Sequence, residues 1–241
     1  MTGVKLGDGY TTKKRRTIRS YNNVRIGLGV KDREFADEFA RCLAKVLVRQ
    51  FIKPRTRYSD KRYVVEVGSK TLYELLKKPV NLDGLKKYIE HCEDYMAAFL
   101  EGFFDSEGCV NERGYISISN TDIGLLTYVK DLLGCLGVAS TRPKLKTRQG
   151  EAFFDSRKEK IYTTNKDCYL LRIRASSNTT FYRKVGFTIK RKQKRLKEYL
   201  RRRQAKPPSP SFTSLYNFPN YIINPMRGVG FEPTNPYGSR A

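Results

Sequence analysis

The chain is poor in the residues on which many hydrolytic sites are built. Its 241 residues contain a single histidine, His91, and no tryptophan, which argues against Ser-His-Asp arrangements and multi-histidine metal centres. The five cysteines, Cys42, Cys92, Cys109, Cys135 and Cys168, are odd in number and far apart. Most fall in apolar runs where a thiol acts as a small hydrophobe, so neither a disulfide framework nor a zinc cluster is expected. No run approaches the ~18 consecutive apolar residues of a membrane span, and the first residues lack the apolar centre of a secretory signal. A soluble, intracellular, cytoplasmic protein is expected. Acids are scarce as well, with 24 Asp and Glu against 48 Lys and Arg. Chemistry then rests on carboxylates, lysines, amides or an isolated thiol.

What is abundant is positive charge, +24 in all, spread along the chain. Such a charge fits a polyanionic partner, because each phosphate neutralised releases condensed counterions, and nucleic acid leads that class. On charge alone, a solubilising surface or a ribosomal-type basic protein is the lesser alternative. From Pro207 onward the composition changes. Seven of the ten prolines lie there, with only Arg227, Glu232 and Arg240 charged. Residues 207–241 read as a Pro-rich, disordered tail.

The remaining 206 residues contain an internal repeat. Thr2-Gly3-Val4-Lys5-Leu6-Gly7-Asp8-Gly9 is matched by Leu100-Glu101-Gly102-Phe103-Phe104-Asp105-Ser106-Glu107-Gly108. After each comes a polar strand, then an alternating strand (Val24 to Leu28, Ile116 to Ser119), then an amphipathic helix opening at an Asp cap, Asp32 or Asp122. The first helix carries Phe35, Phe39, Cys42, Leu43 and Val46 at helical spacing, the second Leu125, Leu126, Val129, Leu132, Leu133 and Leu136. Two more strands follow (Lys53 to Tyr58 with Arg62 to Val67, and Arg142 to Thr147 with Asp167 to Arg174), then a helix near Lys70 or Ser177. The fold class is α+β: two pseudo-symmetric αββαββα repeats, each a four-stranded antiparallel sheet with its helices on one face. The first repeat spans residues 1–90, the second 91–206. Alternation puts Ile116, Ile118, Leu171 and Ile173 on one face and Ser117, Ser119, Arg172 and Arg174 on the other, the basic face being read as phosphate-facing.

Tyr95, Ala98, Phe99, Gly102, Phe103 and Ser106 form one stripe of the helix ending at Glu107. Within it Gly102 and Ser106 are small residues four apart, as are Gly3 and Gly7, and small residues let two backbones approach closely. The two helices are therefore expected to pack on each other and to bring Asp8 and Glu107 together at their C-terminal ends, with Gly9 and Gly108 as left-handed caps. Two carboxylates at negative helix ends repel, and a divalent cation reverses the sign; carboxylates and backbone carbonyls are hard oxygen ligands suited to Mg²⁺. With a basic sheet, this combination points to metal-assisted phosphodiester hydrolysis.

At Gly3, Gly7, Asp8 and Gly9, and at Gly102, Ser106, Glu107 and Gly108, the sequence resembles the LAGLIDADG homing endonucleases, the monomeric two-motif type of archaeal introns. The resemblance runs from about Met1 to Arg203, and Val65 to Tyr73 is similar as well. It implies saddle-shaped sheets on successive major-groove segments of a long asymmetric site, joined by paired motif helices. It implies Asp8 and Glu107 as metal ligands with the carbonyls of Gly7 and Ser106, binding Mg²⁺ with Mn²⁺ as a substitute. Asn120 matches the family's water-positioning residue; the equivalent Val30 departs from the pattern, and Lys31 is taken to substitute. Lys192, opening the last helix, matches a residue near a scissile phosphate, and Lys70 is its weaker counterpart. Arg25, Ser117, Ser119, Arg172 and Arg174 are expected to meet bases and phosphates. The first motif helix has seven residues before Asp8 against about a dozen before Glu107, and lower stability than an upstream-extended chain is expected. Double-strand cleavage of DNA by a monomer, with no membrane association, is the leading reading. A group I intron RNA maturase and an inactive DNA-binding module are the alternatives.

Overall fold

Apolar residues at every second position of a strand and every third or fourth of a helix are buried together when helices cover one face of a sheet. The structure, a computed structural model, describes residues 1–13, 24–47, 54–77, 79–156 and 159–204. The elements run α1 (Thr2–Leu6), β1 (Tyr10–Lys13), β2 (Val24–Val30), α2 (Arg33–Leu47), β3 (Arg57–Ser59), β4 (Arg62–Val67), α3 (Lys70–Leu76) and α4 (Leu82–Ile89). They continue as α5 (Glu93–Glu107), β5 (Gly108–Val110), β6 (Ile116–Asn120), α6 (Ile123–Cys135), β7 (Lys144–Thr147), β8 (Ala152–Asp155), β9 (Lys160–Thr163), β10 (Cys168–Arg172), α7 (Asn178–Lys184) and α8 (Lys190–Gln204).

Two four-stranded sheets result, ordered β1-β2-β4-β3 and β5-β6-β10-β7, with antiparallel pairing throughout. The shared order is the structural form of the repeat. In the first sheet Ile26, Leu28, Val65 and Val67 are buried beneath α2 and α3, while Arg25 and Arg57 stay exposed. In the second, Ile116, Ile118, Leu171 and Ile173 are buried, and Arg172 and Arg174 are exposed. Register explains this: Ser117 faces Arg172 across β6 and β10, and Ile118 faces Leu171, so a slip by one residue would turn every apolar side chain outward.

Asp122 caps α6, its Oδ1 accepting the Leu125 N–H at 2.9 Å, and Leu125, Leu126, Val129, Leu132, Leu133 and Leu136 are all buried. In α2 the stripe is narrower than its spacing indicated, since Val46 is 50% exposed. Asp32 also differs from its expected capping role, because its carboxylate receives Arg191 of the other repeat, at 2.9 Å from Nε and 3.1 Å from Nη2.

Three further expectations need correction. None of the cysteines is buried: Cys92, Cys109 and Cys135 are exposed and Cys42 and Cys168 half-buried. Cys109, for instance, sits on the open sheet face with its Sγ 3.4 Å from Ser117 Oγ. The strand expected over Lys53 to Tyr58 is reduced to Arg57–Ser59, with Lys53 itself outside the described residues. Between β7 and β10 stands an additional two-stranded ribbon, β8–β9, where repeat one has only the turn at Asp60 and Lys61, both at positive φ. The Pro-rich segment 207–241 lies outside the described residues. No helix among the described residues is long and apolar enough to cross a membrane.

Candidate active site

The site is built on the contact between α1 and α5. A Cβ placed on Gly3 would lie 2.1 Å from the Phe99 carbonyl oxygen and 2.9 Å from the Phe103 nitrogen, so only glycine permits this approach. One turn on, a Cβ on Gly7 would lie 2.3 Å from Ser106 Cβ and 3.2 Å from Glu107 Cγ. Gly102 receives Val4 in return, and Ser106 turns its hydroxyl back to the Gly102 carbonyl at 3.0 Å. The small-residue ladder thus works as its spacing indicated, and it seats the Glu107 side chain directly against Gly7, the residue before Asp8. Because α1 has five residues and α5 fifteen, the contact covers the C-terminal part of α5 and leaves Tyr95 and Ala98 exposed.

The glycines that follow the acids do not adopt the expected left-handed conformation. Gly108 is extended, at φ −85° and ψ 156°, because β5 begins there at once. Its lack of a side chain serves closeness instead: a Cβ would lie 2.5 Å from the Phe104 carbonyl oxygen. Gly9 is absent from the positive-φ residues as well.

Each acid–glycine turn is held by a buried lysine ammonium. In repeat one Lys5 is 1% exposed, and its Nζ donates to the Gly9 carbonyl at 3.2 Å. In repeat two Lys192 is 5% exposed, and its Nζ donates to the carbonyls of Phe104, Asp105 and Gly108 at 3.0, 2.6 and 2.7 Å. A cation at these carbonyls offsets the negative end of α5. The Lys192 ammonium is thus engaged with the end of α5, and burial pushes its pKa down. The α8 turn that carries it is fixed by Asp105, whose carboxylate accepts the Thr188 and Ile189 N–H groups at 2.8 and 3.2 Å.

Asp8 opens onto a cleft of about 450 Å³ whose charged lining includes Lys31, Asp32, Arg62, Arg191 and Arg195, with Ser106 and Gly108 from the second repeat. Burial at the helix junction pushes the Asp8 carboxyl above its ordinary range, against the opposing pull of Lys192 and Arg62. Among the described residues no group of three or more His, Cys, Asp or Glu is placed so that it could hold a metal ion. Of the residues singled out from sequence, Asp8, Ser106, Lys31 and Lys192 line this cleft, whereas Glu107 and Gly7 lie outside its lining and against each other. Asn120 is outside the cleft lining, and its Oδ1 accepts the Asp122 N–H at 2.9 Å, closing the turn into α6. Lys70 is exposed at the start of α3. Ser117 and Ser119 are half-buried on the open sheet face, and Lys146 reaches Ser119 at 3.4 Å. Sequence reasoning missed Arg62, Arg191, Arg195 and Lys5. Their repeat positions gave some signal, but their side-chain directions follow from tertiary packing.

Comparison with known proteins bears on this arrangement. Residues 94–186 match the model of the LAGLIDADG-like domain. A Methanocaldococcus jannaschii protein of uncharacterised role is 35% identical over 202 residues, covering 82% of this chain and 69% of its own length.

The chain belongs to the LAGLIDADG family.

A second M. jannaschii protein, also uncharacterised, is 34% identical to this LAGLIDADG chain over 145 residues, about half its own length at 52%. Among solved structures, the homing endonuclease I-DmoI in complex with DNA and calcium superposes with a TM-score of 0.56 at 20% identity, over 82% of this chain and 94% of that one. Its complex with DNA and manganese gives 0.52 at 22% identity, over 76% and 92%. At these identities the likeness establishes the fold: two LAGLIDADG motifs on packed helices between antiparallel four-stranded sheets.

Proposed function

We propose that the chain is a site-specific DNA endonuclease that hydrolyses both strands of a long asymmetric duplex with a divalent metal, Mg²⁺ by preference. The observation that carries this reading is the close packing of the two acid-ending helices, equivalent in the two repeats, where the glycine before Asp8 admits the Glu107 side chain: a Cβ on Gly7 would lie 3.2 Å from Glu107 Cγ. The fold's likeness to a DNA- and metal-bound homing endonuclease supports it, as does the basic open face of both sheets.

The donor set suits a hard cation. Two carboxylates with the main-chain oxygens of Gly7 and Ser106 resemble the few protein ligands Mg²⁺ accepts while keeping waters. Asp8 and Glu107 would hold the cations; a bound cation polarises the scissile phosphate and acidifies a water. The remaining work belongs to the chain. Lys31, Arg62 and Arg195 line the cleft with positive charge where a phosphodiester would enter. Lys192 and Lys5 hold the two turns that carry the acids, so they act by positioning. Arg172 and Arg174, with Ser117 and Ser119, offer donors to phosphates and base edges along the second sheet.

Incubating the protein with a randomised duplex library and Mg²⁺, then sequencing the cut ends, tests the reading. One asymmetric sequence cut in both strands, and no cutting after chelation, is expected. Enrichment of a sequence by binding with no cleavage in Mg²⁺ or Mn²⁺ would reduce the chain to a binding module.

A further inference from the structure

The open face of the first sheet holds a carboxylate where contact with a polyanion would favour none. All four strands contribute to its surroundings, β2 with two residues. Tyr10 on β1 pairs with Gly27 on β2, and Gly27 pairs with Glu66 on β4, so the three lie in one row across the sheet. Gly27 makes the row possible: a Cβ there would lie 2.5 Å from Cζ of Tyr10, whose ring crosses the vacant place. The Tyr10 hydroxyl then donates to Glu66 Oε1 at 2.7 Å. Glu66 Oε2 accepts from Arg25 Nη1 on β2 at 3.1 Å and from Arg57 Nη2 on β3 at 2.7 Å.

The exposures are graded. The Glu66 side chain is 19% exposed, Arg25 46% and Arg57 62%. The acid is thus set low in the sheet with both guanidiniums above it. The Tyr10 hydrogen bond, with both arginines, holds the Glu66 carboxyl below its usual range despite its burial. Half-exposed ion pairs contribute little to stability, and burial of Ile26, Leu28, Val65 and Val67 beneath the same strands needs no such network. Each guanidinium has five N–H donors, and Glu66 takes one from each. The row at the corresponding place in the second sheet, Cys109, Ser117 and Arg172, contains no acid, so the two sheets present different donor sets.

A mobile arginine on such a face finds phosphates, which carry no sequence information; one held in a fixed plane can address the O6 and N7 of guanine. We infer that Glu66 is a specificity-determining positioning residue that holds Arg25 and Arg57 to read guanines in the half-site facing the first sheet, with Tyr10 and Gly27 fixing Glu66. This rests on the reading of the chain as a DNA-directed endonuclease.

The test compares wild type, Glu66→Gln and Tyr10→Phe, full-length, by binding selection from a randomised duplex library and by salt titration on a fixed random duplex. In Glu66→Gln, guanine preference in one half-site is expected to fall about tenfold, the scale of a lost bidentate pair. Preferences in the other half-site stay unchanged. Affinity for random duplex rises, and the slope of log K against log salt steepens by about 1 for each arginine released to a phosphate. Tyr10→Phe, which keeps both ion pairs, shifts in the same direction by less. A merely structural role would weaken binding to every sequence and leave the base preferences in place; that result, or an unchanged guanine preference, overturns the inference alone. A wild-type protein that enriches no sequence removes the inference and the underlying reading together.

Discussion

Replacing Gly3 by alanine tests the helix contact on which the site depends. The added Cβ would sit 2.1 Å from the Phe99 carbonyl oxygen, more than an ångström inside ordinary contact, and the obstacle is main chain that no rotamer change relieves. Overpacking of this kind costs about 3 kcal/mol. The gain in helix propensity on replacing glycine returns ~1 kcal/mol, leaving about 2 kcal/mol of net destabilisation. For a body of this size that lowers the melting midpoint by roughly 4–8 °C. Gly134 in α6 is the matched control, because a Cβ there meets nothing within 4 Å. Gly134→Ala should gain about 0.5–1 kcal/mol from propensity alone. Calorimetry or thermal circular dichroism of the three proteins gives the comparison. If Gly3→Ala melts with or above wild type while Gly134→Ala behaves as expected, α1 does not pack on α5 through its glycines.

Other outcomes follow from the same geometry. Lys192→Met leaves three carbonyls at the end of α5 without their cation and should cost roughly 2 kcal/mol in urea unfolding; an unchanged midpoint would show that the lysine does not clamp this turn. Asp32 and Arg191 should couple by roughly 0.5–1 kcal/mol in a double-mutant cycle at low salt, shrinking as salt is added, and zero coupling at low salt would contradict the bidentate contact between repeats. Burial and the Glu66 hydrogen bond push the Tyr10 phenol up to about 12. Since the folded pKa lies above the unfolded one, the stability it lends is complete below about pH 10 and is lost as pH rises through about 12. The absorbance difference between wild type and Tyr10→Phe reports that titration, which should fall toward 10 in Glu66→Gln and contradicts the network if it does not.

Periodicity carried much of this structure into view. The alternation of Val24 to Leu28 and Ile116 to Ser119 gave the inner strands, because one buried face imposes register. The glycine and serine spacing gave the α1 and α5 contact, because backbone approach tolerates few residue types. The ribbon β8–β9 escaped notice since Phe153, Phe154 and Ile161 are 51, 63 and 72% exposed, and a pattern read for burial does not find side chains left outside. Lys192 was expected near a scissile phosphate and Lys5 was given no role, because lysine is seldom buried and their partners are carbonyls at helix ends, which carry no residue signature. Gly108 has extended backbone because a strand starts immediately, a constraint from sheet pairing that the helix pattern before it does not encode. Asp32 stood at a plausible cap, yet a guanidinium more than a hundred residues away claimed it.

In the proposed function, Asp8 and Glu107 together carry out hydrolysis of both strands. A supercoiled plasmid bearing the selected target, incubated in Mg²⁺ with wild type, Asp8→Asn or Glu107→Gln, measures it most directly when binding of the same duplex is followed in parallel. Linear plasmid is expected from wild type, and no linear product from either variant while both still bind the site. Linearisation by either variant at the wild-type rate would contradict the proposal.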